Sequence, residues 1–509
     1  MNEQPYSYHT FLFPFRWDGR TDNILDDFTE KLDPKKWNQM DWDERKGCFD
    51  KTRDRRIEYN EYEYFHENVR NAIYGSSSNL DTQYPADRLS DSDVVRNFIF
   101  RNAEAAVFEI KKGKAKWELK LNAIRLKIFN TGVAILIYEL ENYDKRSMED
   151  VLKINEYGRR IDIPYVSDYD NSCSLVADYV TIRNKDSSGN IDPQIVCKFK
   201  DEIDKFNSSN VNYRFISPII MDVLGDSFKF SGEVENTDNS ADSTICCHVI
   251  GDDRMFVCCL VEDKSFIKEI TVWDNEKQKY AWEIDCIEKP YWEQSKLYEF
   301  AFIDGNGISC VDRNERLCLL KKHMYTRFAE YNLELEKDPK EKRTLYGTFA
   351  VITHHSMVCA TNFVGEVTPF LTMRIQMVIL TLAQRASIIA LSNEASRLAE
   401  GFDDNSKVGK NQIKRIKKLR EKHVAFQNQL LFFEITAQEQ GVEVYDRLQE
   451  SLYIHRESEK LEQQLQNLHE IATLISDQRL NQLLKWIAIV GLPIAAASMI
   501  FDMLSFFCK

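Results

Sequence analysis

The run Trp486–Cys508, WIAIVGLPIAAASMIFDMLSFFC, carries one charge in 23 residues. As a helix it covers about 34 Å, against about 30 Å of bilayer hydrocarbon, and a helix apolar on every side needs lipid or protein all round it. The stretch before it is polar and extended, so one membrane crossing over 486–508 is the expectation; a buried C-terminal helix is the competing reading. Lys485 and Trp486 at one end and Lys509 at the other suit the two interfaces. Asp502 is the exception. A carboxylate in lipid turns toward a water-filled path or a partner, unless the segment ends at Phe501 and Asp502 already sits among headgroups. Gly491 and Pro493 permit a kink or a close helix approach, features that pore-lining helices use.

At the other end, MNEQPYSYHTFLFPFRWDGR lacks a basic region followed by an apolar run and a cleavage site, so no secretory signal is expected and the bulk faces the cytoplasm. A chain of 509 residues, 43% hydrophobic and 29% charged, needs two or three packed units. Its net charge of −14 argues against a surface that tracks DNA or RNA, leaving any basic function local.

The expected class is α+β. Residues 1–115 read as mixed helix and irregular structure. From 116 to 365 an α/β domain with much antiparallel sheet is expected. Within it, WELKLNAIRLKIF, a turn at Asn130-Thr131-Gly132 and VAILIYELENY make a hairpin. Ser147 caps a short helix that Gly158 ends. MFVCCLV, KEITVW and GISCV read as strands. Residues 366–485 read as a helical hairpin and stalk: one helix over 370–400, a second from about Lys410 to Gln438, and a third from near Val442 with no breaker before Gly491. In the third, Leu461, Leu465, Leu468, Ala472 and Ile475 recur at coiled-coil spacing, which fits either self-association or packing on the second helix.

No phosphate-binding glycine loop, zinc-protease motif or nucleophile elbow appears, so the chain does not read as an enzyme and no catalytic residue is expected. Twelve cysteines form no C-x-x-C pair; they read as small buried hydrophobes, and no metal or cofactor is expected. His354-His355 on a strand would face opposite sides. Arg159 and Arg160 follow a helix end, where guanidiniums meet a phosphate or simply complement the helix dipole. Arg374 and Gln376, near the start of the first long helix, are candidates for a ligand site that levers the stalk. Lys410, Lys414, Arg415, Lys417, Lys418 and Arg420 form a dense basic run in an acidic chain, expected to lie toward the membrane.

The order of parts, with LPIAAASMIFDML at the end, resembles the CorA metal-ion transporters, placing Asp502-Met503-Leu504 where that family has Gly-Met-Asn and so adding Met503 to the membrane residues. Two of those three residues differ, and a second membrane helix is not expected. With NTGVAILIYELENY and INEYGRRI, the N-terminal region looks more like the divergent CorA-like effectors encoded with type III CRISPR systems. That resemblance implies an antiviral protein of the cell's inner (cytoplasmic) membrane. Its 116–365 domain would sense a nucleotide messenger, such as an S-adenosylmethionine–AMP conjugate, and its membrane part would then act on lipid or open a pore. It also implies a homo-oligomer, a pentamer in CorA proteins. The alternatives are a CorA-type magnesium transporter and a tail-anchored enzyme that cleaves nucleotides.

Overall fold

The computed structural model describes residues 4–18, 24–42, 54–75, 93–163, 173–184, 194–208, 216–230, 244–251, 253–269, 271–274, 279–282, 296–304, 322–331, 344–400 and 410–474, with positions 481, 484, 485 and 489. The strand GISCV and the membrane residues Gly491, Pro493, Asp502 and Met503 lie outside these, as does nearly all of 486–508. The chain divides into two compact units: residues 1–387 with 428–454, and 388–427 with 455–509.

The first unit is built on a mixed, mainly antiparallel sheet. In chain order its strands are β1 (Ser7–Trp17), β2 (Trp37–Met40), β3 (Val95–Phe100), β4 (Ala106–Lys112), β5 (Ala115–Phe129), β6 (Val133–Asn142), β7 (Tyr179–Asn184) and β8 (Gln194–Cys197). Next come β9 (Phe228–Phe230), β10 (Ile245–Val249), β11 (Phe256–Glu262), a separate hairpin of β12 (Thr271–Asp274) and β13 (Lys279–Trp282), then β14 (Met324–Tyr331), β15 (Thr344–Ile352) and β16 (Ser356–Thr361). The main path runs β14-β15-β16-β11-β1-β6-β5-β4-β7-β8, with β3 also on β5, β2 on β3, β10 on β1 and β9 on β10. The class expected from the sequence, α and β with a large antiparallel-rich sheet followed by helices, is therefore present.

The expected hairpin is β5–β6, paired from Phe129↔Val133 outward, with Gly132 at φ +81° in its turn. Residues 1–115 are not a separate region, because β1 lies between β6 and β11 and its phenylalanines 11, 13 and 15 are fully enclosed. A near-continuous apolar run is what a strand covered on both faces requires. Pro14, which donates no hydrogen bond, sits where β1 changes partner, from β11 along 7–12 to β10 along 15–17.

The helix Met148–Gly158 begins at Ser147, whose hydroxyl accepts from Asp150 N, as its sequence implies. Gly158 acts differently from a helix-ending glycine. A Cβ there would lie 2.7 Å from Phe11 Cζ, so glycine admits the close approach of helix and sheet. The His354-His355 pair lies in the turn between β15 and β16, not on a strand.

The helices after Pro369 depart from expectation at two points. The second covers Lys410–Gln429, not 410–438, because the carbonyls beyond it are taken by tertiary donors: Gln384 Nε2 to Leu430 O, Tyr445 Oη to Phe432 O, and His66 N to Ile435 O. The third is interrupted after Glu439–Ser451, where Tyr453 adopts φ +58° and His354 Nδ1 donates to the Ser451 carbonyl at 3.2 Å. Helix resumes over 454–474. Leu461, Leu465, Leu468 and Ala472 are buried within the single chain; Ile475 lies outside the described residues.

Among the described residues one helix, Val364–Ala399, is long and apolar enough to cross a membrane, and 78% of its most apolar window is buried in the protein. Its Gln384 donates to Tyr445 Oη at 2.9 Å and accepts from Gln449 Nε2 at 2.7 Å. Such internal partners are those of a core helix, since lipid offers none.

Candidate functional site

Strand alternation puts Arg125 and Lys127 of β5 on one face, beside Asn97 of β3 and Glu139 of β6. The helix Arg55–Tyr64 brings Glu58 and Glu61, one turn apart, over the same face. Leu371, Ile375, Gln376 and Ile379 form the roof. These side chains surround a cavity of about 20 Å³, room for one water.

The lining is unusually charged for an interior, since Glu58, Glu61, Arg125 and Lys127 are all buried. Lys127 Nζ donates to Ile73 O at 2.7 Å and to Gln376 Oε1 at 3.0 Å, tying sheet to roof. Arg125 Nε pairs with Glu139 at 2.8 Å, and Tyr74 Oη donates to Glu61 at 2.9 Å. Asn97 is 1% exposed, yet neither its amide nitrogen nor its oxygen has a hydrogen-bond partner. A buried amide left so costs about 1–3 kcal/mol, which a bound polar group in the cavity would recover.

The roof is jointed. Phe370–Arg374 form a π-helical turn immediately before the α-helix Ile375–Glu400, a local irregularity that recurs at functional positions. Gln376 thus lines the cavity. Arg374 does not line it and instead pairs with Glu366.

Arg159 and Arg160 are brought together elsewhere, in a packed cluster. Glu156 accepts from Arg159 Nη2 at 2.7 Å and from Arg160 Nη2 at 2.6 Å, while Asp253 takes the other arm of Arg160. Burial pushes the Glu156 carboxyl up, but Arg159 and Arg160 outweigh it and hold it below the usual range. Burial likewise lowers the Arg159 guanidinium to about 10, partly opposed by Glu156. At 2% and 4% exposure, these arginines brace the helix end against the β10–β11 connection, although Arg159 Nε and Nη1 and Arg160 Nε have no hydrogen-bond partner.

Two further groupings frame the choice. Asn155 Oδ1 accepts from His9 Nδ1 at 2.6 Å, and the Ser7 hydroxyl lies 2.9 Å from His9 Nε2 while accepting from Asn142 Nδ2. That order resembles a nucleophile–base–orienter relay, but all four side chains are fully enclosed, and burial drives His9 down to about 4. A second hollow, of about 200 Å³, lies by Lys112, Cys173, Asp178 and Lys200; Lys112 Nζ is already held by Val176 O at 2.7 Å.

In the second unit the basic run lies on the helix Lys410–Gln429. Lys414, Arg415, Lys417, Lys418 and Arg420 are exposed, opposite the buried Ile416, Leu419, His423 and Phe426. Lys410 opens that helix. The cysteines divide: Cys197, Cys247, Cys258, Cys259 and Cys359 are buried as expected, whereas Cys246 is exposed. Among the described residues one group, Asp18, Cys246 and His248, gathers metal-ligating atoms within 4.8 Å of one another.

Sequence inspection missed Arg125, Lys127, Glu58, Glu61 and Asn97. Their only signal is a polar or charged residue at alternate strand positions or one helical turn apart, in elements that carry other polar residues as well. No protein-family model and no curated protein matches the chain.

Proposed function

We propose that the protein is a ligand-gated, membrane-anchored effector whose sensor is the cavity between β5 and the roof helix. The observation that carries this is the Lys127–Gln376 bond beside the unpartnered Asn97 amide. Anything larger than a water that enters the cavity must displace the start of a helix that continues, unbroken, from the first compact unit into the second. The closed volume admits one water, so a nucleotide-sized ligand requires the roof to move, and the π-helical turn supplies the joint.

The mixed lining favours a ligand with both charge signs. Arg125 and Lys127 suit a phosphate; Glu58, Glu61 and Glu139 suit a sulfonium or ammonium group. An S-adenosylmethionine–AMP conjugate carries both, whereas an oligoadenylate, anionic at each phosphate, meets three carboxylates. Segment 486–508 is the anchor in this account, because Val364–Ala399 is committed to the core, and several copies assemble to surround a path.

Full-length protein in anionic vesicles loaded with a self-quenched dye is the test. Release on adding the conjugate, absent with oligoadenylate and absent after deletion of 486–509, supports the reading. Ligand-independent magnesium flux by the same vesicles would replace it with the CorA-type transporter.

A further inference from the structure

The geometry points to a zinc-class metal site formed by Asp18, Cys246 and His248, remote in kind from the nucleotide cavity and independent of it. Cys246 and His248 stand two residues apart on β10, so both project from one face, while Cys247 between them is fully buried on the other. Antiparallel pairing sets Trp17 against Cys247, and the next residue, Asp18, donates its N–H to Cys246 O at 3.1 Å. Asp18 is thereby carried onto the same face, across from the two other donors.

The spacing fits a first coordination shell. Bonds of about 2.3 Å to sulfur and about 2.0–2.2 Å to nitrogen and oxygen give tetrahedral edges of about 3.3–3.6 Å. Cys246 Sγ and His248 Nε2 are 3.8 Å apart, and His248 Nε2 and Asp18 Oδ2 are 2.8 Å apart. An ion therefore needs the His–Asp contact to open by about half an ångström, exchanging one hydrogen bond for two metal bonds. Arg16 Nη1 holds the other carboxylate oxygen, Asp18 Oδ1, at 2.9 Å. That leaves Oδ2 turned toward His248, the orienting role that an outer partner plays at metal centres.

Ligand chemistry selects the ion. Thiolate, imidazole and carboxylate together suit zinc or cobalt and disfavour magnesium and calcium, which take oxygen donors. Three protein ligands leave a fourth position for water or an added donor. Bound metal would clasp the end of β1 to β10, just beyond the point where β1 changes partner.

Cobalt titration of the reduced, full-length protein reads this directly, because a thiolate–cobalt bond gives a charge-transfer band and a tetrahedral site gives intense visible bands. One equivalent should bind, with zinc displacing it. Cys246→Ser should abolish the charge-transfer band, and His248→Ala should weaken binding by at least about tenfold. Cys173→Ser, at another partly exposed thiol, should leave both signals intact. No band in the wild-type protein, or one that survives Cys246→Ser, overturns the site. Far-UV circular dichroism of each variant separates lost metal from lost fold, and the exposed position of Cys246 makes retention of fold the expected result.

Discussion

Two buried polar assemblies in the sheet unit use the same chemistry to opposite ends. Beside the helix Met148–Gly158, Glu156 is shared by two arginines and Asn155 by His9, with every contact made at 2.6–2.9 Å where the partners are Glu156–Arg159, Glu156–Arg160, His9–Asn155 and Ser7–His9. Beneath the helix Ile375–Glu400, a comparable number of charges surround a space, and an amide facing it has no partner. Each assembly leaves polar atoms without a hydrogen-bond partner, Arg159 Nε and Nη1, Arg160 Nε and Asn155 Nδ2 in the first and the Asn97 amide in the second; what differs is that the second lines a cavity with room for a water. On the proposed reading, that difference separates a brace from a sensor.

The brace should fail hardest. Glu156→Ala leaves the buried Arg159 guanidinium without its carboxylate and Arg160 with Asp253 alone, and should cost about 3–5 kcal/mol in denaturant unfolding, with little direct effect on ligand affinity in whatever fraction stays folded. A loss under about 1 kcal/mol would mean that water or another carboxylate already serves those arginines, and the contrast would collapse.

Acid probes the same region. Burial holds His9 down at about 4, so between that value and the ordinary 6.5 the unfolded chain binds a proton that the native chain refuses. Stability is then full above the upper value and declines as pH drops through the window, by about 3 kcal/mol across it. His9→Gln should flatten this part of the profile; an unchanged slope would assign the acid sensitivity elsewhere.

The hollow assembly should be gentler on stability and harsher on response. Lys127→Met strands the Ile73 carbonyl and Gln376 Oε1 and should cost about 1–2 kcal/mol, while removing ligand-triggered dye release. Equal response from this variant would remove the cavity from the account. The smallest effect belongs to exposed charge. Lys417→Gln with Arg420→Gln should move stability by no more than about 0.5 kcal/mol. If the basic face meets anionic lipid, the pair weakens vesicle binding by about 1 kcal/mol per charge removed.

What the sequence revealed follows the range of its signals. The β5–β6 hairpin and the Ser147 cap are specified by residues within a few positions of each other, and both appear. The end of the helix at Gln429 and the break at Tyr453 are imposed by distant donors, His66, Gln384 and His354, which no local pattern announces. The arginine pair drew notice because it is adjacent in sequence, and it proved to be enclosed. Arg125 and Lys127 occupy polar positions of an alternating strand, a pattern that normally faces water. They line a cavity because the helices Arg55–Tyr64 and Ile375–Glu400 cover that face. The cysteines as a set read as small buried hydrophobes, although alternation alone places Cys246 and Cys247 on opposite sides of a strand.

Calorimetric titration of the full-length protein in detergent with the S-adenosylmethionine–AMP conjugate tests the central claim most directly, comparing wild type, Lys127→Met and Arg159→Lys. The account predicts saturable binding by wild type, at least about tenfold weaker binding by Lys127→Met, and near-wild-type affinity for folded Arg159→Lys, because one lost charge-assisted bond of about 1.5–3 kcal/mol is worth that factor. Binding that survives Lys127→Met and disappears with Arg159→Lys would contradict it, moving the sensor from the hollow cluster to the arginine pair.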